Sequence, residues 1–274
     1  MRSTNQKQDG LWTIQFGELG ATLKALQDNG VTKEHLARLR AEPDYAKRVA
    51  KFMLQDDLIE STCQKLVRKI MGKNFFGIEE WSFFYGVNFS KKQLREVAKF
   101  PWSEDVLNAP CPFHKGKSVK ETHFAFLGLN KINGEPLTIL KWQELHRAWF
   151  RSYHPGAWCA EEKFATEQTC AFRWYLMLLE IVPNSTNKTF QEPTAMLPAD
   201  YEVPLAIEEV TKLILYRRKN SVFLNRLEHG RCQDTIFGCY PVSVGGFSSR
   251  GFHITRYWDS GFYYGVGLAA SRKL

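Results

Sequence analysis

The chain lacks any long apolar run. Nowhere do eighteen apolar residues follow one another, so no segment is expected to cross a membrane as a helix. The opening Met1-Arg2-Ser3-Thr4-Asn5 is polar, and no apolar run of seven or more follows its basic residue. No secretory leader is therefore expected, and the chain reads as cytoplasmic. Its six cysteines form no C-x-x-C pair, which removes zinc-ribbon and thioredoxin-like readings and leaves thiols that should be reduced. Without secretion, the sequons at Asn88, Asn184 and Asn187 carry no weight.

Catalytic signatures are missing as well. There is no G-x-S-x-G nucleophile elbow and no H-E-x-x-H, and no G-x-G-x-x-G follows a strand and opens a helix. Glu79-Glu80, Glu161-Glu162 and Glu208-Glu209 are sequence neighbours. Adjacent residues point apart on a helix, so these pairs make poor acid–base couples. Repeats and low-complexity tracts are absent. With 44% hydrophobic and 24% charged residues in 274, a coiled coil, a fibre and a disordered tail are excluded, while a self-sufficient core is not.

What is there is basic. Lysine and arginine number 37 against 29 acidic residues, giving +8 at pH 7. Residues 1–73 carry 13 basic and 9 acidic side chains, residues 74–203 carry 14 and 15, and residues 204–274 carry 10 and 5. A surplus at both ends of a near-neutral middle suits a polyanion such as DNA or RNA. It also suits simple solubility.

The elements read as α+β: an N-terminal helical subdomain, then a mixed α/β region ending in an antiparallel β-meander. Helices are predicted over Phe16–Gln27, stopped by Asp28-Asn29-Gly30, and over Lys33–Ala41 behind the N-cap Thr32. Further helices are expected from Pro43 to about Met53 and near Leu58–Ile70, completing a subdomain over 11–73. Residues 74–274 form the second domain. There, His123–Leu129 and Ala171–Val182 read as strands, the second apolar on both faces, and Pro204–Arg218 reads as a helix. Strands are expected over Tyr240–Phe247, Phe252–Trp258 and Phe262–Ala270, separated by loops rich in Ser, Gly and Asp.

Several segments, above all Val244-Gly245-Gly246-Phe247 and Gly265-Val266-Gly267-Leu268-Ala269-Ala270, resemble bacterial chains described only as hypothetical proteins. The resemblance runs from about residue 20 onward. It implies a bacterial type of source and carries no activity.

Four constellations could bear function. Cys111-Pro112-Phe113-His114 with His123 has thiolate and imidazole at zinc-ligand spacing, and His154 or Cys159 is the nearest fourth ligand. An open position there would make a metal-dependent hydrolase; a buried cysteine beside two ordinary histidines gives the same letters. Lys115, Lys117 and Lys120 follow as an anion-contacting loop, although the P-loop spacing is absent. Thr22–Arg40 can be laid on a helix-turn-helix that offers Lys33, His35, Arg38 and Arg40 to a major groove. Leu26, however, stands where the first helix normally needs a small residue, and any tight αα-hairpin shares the pattern. Finally, Arg256-Tyr257-Trp258 and Phe262-Tyr263-Tyr264 could stack single-stranded bases, with Arg217 and Arg218 adding charge; aromatic residues are more often core. The sequence thus favours nucleic-acid or other polyanion binding. A zinc hydrolase at Cys111, His114 and His123 and a non-catalytic protein-interaction module stand as alternatives.

Overall fold

A computed structural model of the chain describes residues 14–53, 60–150, 159–249 and 251–274. The chain divides into two compact units, Met1–Leu54 and Gln55–Leu274. In the first, helices α1 (Phe16–Asp28), α2 (Lys33–Ala41) and α3 (Pro43–Met53) follow one another through tight turns. Local chemistry sets these boundaries. The Asn29 N–H closes on the Ala25 carbonyl, and Gly30 takes φ +85°, where a side chain would be strained. At the start of α2 the Thr32 N–H donates to His35 Nδ1 at 3.0 Å. None of the described side chains of α1 or α2 is buried.

The second unit begins with α4 (Thr62–Met71), β1 (Phe75–Phe76) and α5 (Ile78–Tyr85). Short helices α6 (Lys91–Glu96), α7 (Glu104–Asn108) and α8 (Val119–Thr122) lead to β2 (His123–Leu127) and the small hairpin β3 (Lys131–Ile132)–β4 (Glu135–Pro136). Then come α9 (Ile139–Leu145), α10 (Lys163–Thr166), β5 (Trp174–Leu178), α11 (Gln191–Ala195), β6 (Tyr201–Glu202) and the long α12 (Ala206–Asn220). The chain finishes with β7 (His229–Ile236), β8 (Tyr240–Ser248), β9 (Gly251–Arg256), β10 (Val266–Leu268) and β11 (Ser271–Arg272). The fold class is α+β.

Two larger sheets share α12. One has the order β1-β2-β5-β11-β6, the other β10-β7-β8-β9. β2 and β5 are buried along their whole length, antiparallel from His123↔Leu178 to Leu127↔Trp174. Nine of those ten residues are apolar or aromatic, the pattern of a strand covered on both faces. α12 touches β1 and β2 of the first sheet and β7 and β8 of the second, so every residue from Ala206 to Tyr216 is buried. Ala206, Val210, Leu213 and Ile214 are among them. Charge is buried too: Lys212 Nζ lies 2.8 Å from Glu209 Oε1 and donates to the Leu178 carbonyl at 2.8 Å. Asn225 Nδ2 adds a 3.0 Å bond to the same Glu209 oxygen, while Glu209 Oε2 stays buried without a partner.

Two expectations need correction. The helix Thr62–Met71, grouped by sequence with the N-terminal three, belongs to the second unit. The antiparallel meander is β7–β8–β9, one strand earlier than residues 240–270 suggested. β10 covers only Val266–Leu268 and runs parallel to β7, Val266 facing His229. Residues 257–265 carry the chain from the β9 edge of the sheet to the β7 edge, a crossover that composition alone does not announce.

Candidate functional site

The loop from Pro110 to Ser118 is closed on itself. Pro110 and Ser118 bridge, the Cys111 N–H donates to the Lys117 carbonyl at 2.8 Å, and Gly116 turns at φ +80°. Cys111 is buried against Leu178, Tyr201 and Leu268. His123 is wholly buried in β2 with both ring nitrogens engaged. With the proton on Nδ1, that nitrogen donates to the Val119 carbonyl at 3.2 Å, while Nε2 accepts from the Tyr201 hydroxyl at 2.9 Å. Burial holds its pKa down to about 3, so it is neutral at pH 7. His114 lies partly exposed beside a cavity of about 210 Å³ near Glu180 and Asn184.

No group of three His, Cys, Asp or Glu side chains among the described residues could hold a metal. The zinc expectation for Cys111, His114 and His123 is therefore corrected: the histidine that was to close the site is a hydrogen-bonded core residue. Of the two candidates for a fourth ligand, His154 lies outside the described residues and Cys159 is buried in the main core.

The basic candidates fall on separate elements. On α2, Lys33 and Arg40 are exposed, whereas His35 caps its own helix and Arg38 pairs with Glu42 at 2.9 Å and covers Tyr45 at 4.5 Å. Lys115 and Lys117 are exposed on the closed loop, and Lys120 donates to Asn108 Oδ1 at 2.8 Å. At the end of α12, Arg217 lies over Phe223 at 4.1 Å and Arg218 over Phe84 at 5.3 Å. Arg256, ending β9, lies 6.0 Å from the ring centre of Phe237 and 5.8 Å from that of Tyr240.

That last neighbourhood differs from the rest. In the second unit, every exposed large aromatic side chain among the described residues falls within 237–264: Phe237 (81% exposed), Trp258 (52%), Phe262 (64%) and Tyr264 (85%). Phe237 sits at the tip of the β7–β8 hairpin with φ +51°, followed by Gly238 at +72°. A bulky side chain in the left-handed region costs roughly 1–2 kcal/mol, and here no burial offsets it. Trp258 packs on Tyr240 with ring centres 4.3 Å apart, leaving its outer surface in solvent.

No family model, curated protein or solved structure matches the chain.

Behind this edge, one face of the sheet is polar and partly roofed. Arg231, Ser243 and Thr255 stand opposite one another across β7, β8 and β9, and His229, Gly245 and His253 form the next row. Arg231 is fully buried and ties down two loops, donating from Nη1 to the Lys188 carbonyl at 2.7 Å and from Nη2 to the Gly261 carbonyl at 3.0 Å. His229 Nε2, Arg231 Nε and Ser243 Oγ are buried with no hydrogen-bond partner. Such atoms cost about 1–3 kcal/mol each when left unmade. The pKa of His229 falls to about 4, chiefly through burial and further through the neighbouring His253, so its ring is neutral at pH 7. A cavity of about 410 Å³ opens beside it, lined by Leu227, Tyr257, Phe262, Tyr263 and Tyr264.

Sequence reasoning found the aromatic cluster and Arg256. It missed Phe237, whose only signal is the Phe-Gly pair at a hairpin tip, and the row through His229, Arg231 and Ser243. That row had no signal, because β7 was not expected as a strand.

Proposed function

We propose that this protein binds single-stranded nucleic acid along the aromatic edge of its four-stranded sheet. One observation carries the reading: among the described residues, the exposed aromatic side chains of the second unit are confined to 237–264, beside Arg256. Solvated rings on a folded protein cost free energy, and stacking a base on each returns about 1–3 kcal/mol. Bases inside a duplex are hidden from such rings, so the ligand is an unpaired strand. The ten basic against five acidic residues of 204–274 supply the attraction to phosphate. Arg217 and Arg218, and Lys115 and Lys117 on their exposed loop, are the further candidates for phosphate contacts. The groove-reading role for α2 has less support, since His35 and Arg38 are committed within their own helix and only Lys33 and Arg40 stay available.

Fluorescence anisotropy with labelled single-stranded DNA, single-stranded RNA and duplex tests this. Single strands should bind best, and affinity should fall with salt by about 0.7 log unit per log unit for each phosphate neutralised. Trp258→Ala and Arg256→Ala should each weaken binding by about tenfold. Absence of binding at 50 mM salt, or equal affinity for duplex, overturns the proposal; a protein partner at this edge would give the first result.

A further inference from the structure

The cavity beside His229 combines features that a flat ring-stacking surface does not need. Its walls are the rings of Tyr257, Phe262, Tyr263 and Tyr264, and at about 410 Å³ it falls within the roughly 300–1,000 Å³ of small-ligand sites. Tyr257 and Tyr263 are in mutual contact at 4.6 Å between ring centres, and His229 lies 6.2 Å from Tyr257. Leu227 (89% exposed), Phe262 and Tyr264 leave the mouth open. The imidazole in the lining, His229, keeps Nε2 without a partner. Gly246 leaves room at that nitrogen, since a Cβ there would stand 3.1 Å from Nε2. Arg231 fixes the loop that carries Tyr263 through the Gly261 carbonyl, so the walls are built before any ligand arrives.

We propose that this cavity receives one nucleobase turned out of the bound strand, held between the tyrosine and phenylalanine rings and read by the His229 imidazole. The ring's other nitrogen bonds the Gly265 carbonyl, which puts the proton on that nitrogen and leaves Nε2 as an acceptor; base edges present the N–H donors it takes. Aromatic walls select a planar ring. The basic surplus of residues 204–274 selects a ring that is attached to phosphate rather than a free apolar molecule. The inference rests on the proposed single-strand binding and adds a specific contact to it.

The test uses the full chain, single-stranded 12-mers with or without one central abasic position, and free nucleoside monophosphates. His229→Phe keeps a ring and removes the nitrogens; Tyr264→Ala changes a side chain that is 85% exposed and so leaves the fold alone. Each variant should lose about tenfold in affinity for the intact 12-mer with an unchanged salt slope. The abasic position should cost the wild type a similar factor and cost the variants nothing. Intact 12-mers that bind wild type, His229→Phe and Tyr264→Ala alike, while responding to Trp258→Ala, overturn the pocket and keep the proposed function. Nucleoside monophosphates that bind wild type but not Tyr264→Ala, with no 12-mer binding, keep the pocket and overturn the strand. Neither ligand binding overturns both.

Discussion

His123, His146 and His229 are neutral in the folded protein, with pKa values lowered by burial to about 3, 4 and 4. In the unfolded chain a histidine titrates near 6.5. The unfolded state therefore binds more protons between those limits. Stability that is complete above about pH 6.5 is lost as pH falls toward 3. Urea midpoints at pH 7.5, 5.5 and 4.5 should drop steadily, and His123→Gln should flatten the lower part of that slope. A midpoint independent of pH in this window would contradict the burial of these rings. Phe237 offers a second residue-scale test. Its φ of +51° suits asparagine better than phenylalanine, so Phe237→Asn should raise stability by about 1 kcal/mol while lowering affinity for single strands. If the variant were less stable, the tip would not be strained; if it bound equally well, the ring would not contact the ligand.

Elements whose limits are set by local chemistry were legible in the sequence. α1 and α2 end and begin within a residue of expectation because Asn29, Gly30 and Thr32 act on their own neighbours. β5 was recognised because a strand buried on both faces has to be almost wholly apolar, and β2 has the same composition apart from His123. β7 was not, since His229-Gly230-Arg231-Cys232-Gln233 mixes charge with glycine and interrupts the apolar alternation. What makes it a strand is its pairing, with β8 on one side and the distant β10 on the other. The candidate site followed the same rule. Adjacent aromatic residues could be read as a cluster, but His229 and Ser243 share a face only because the β7–β8 register aligns them. The close pairing of β7 and β8 gives an element-scale prediction. A Cβ on Gly245 would stand 2.0 Å from the Glu228 carbonyl oxygen, whereas one on Gly238 meets nothing within 4 Å. Gly245→Ala should cost several kcal/mol and displace β7, while Gly238→Ala should cost only the roughly 1 kcal/mol of its φ of +72°. Thermal melts of the two variants compare these directly.

At the scale of the whole molecule, the main hydrophobic core runs from Val67 to Phe252 and lies entirely within the second unit. A chain lacking residues 1–54 should keep its principal thermal transition within a few degrees; its loss would mean that the second unit does not fold alone. A cut at the other end should behave differently. Ser271 in β11 stands between Met177 of β5 and Glu202 of β6, and Leu178 and Val182 donate to the carbonyls of Ala270 and Leu268. β10, three residues earlier, covers the outer edge of β7. Removing residues 266–274 should therefore abolish the cooperative transition. The same arrangement sets the order of events on the ribosome. An emerging chain has β5 and β6 with nothing between them, and β7 with a bare edge, until residues 266–272 have been made. During that interval the bare edge is open to pairing with other chains, so maturation of both sheets waits on residues 266–272.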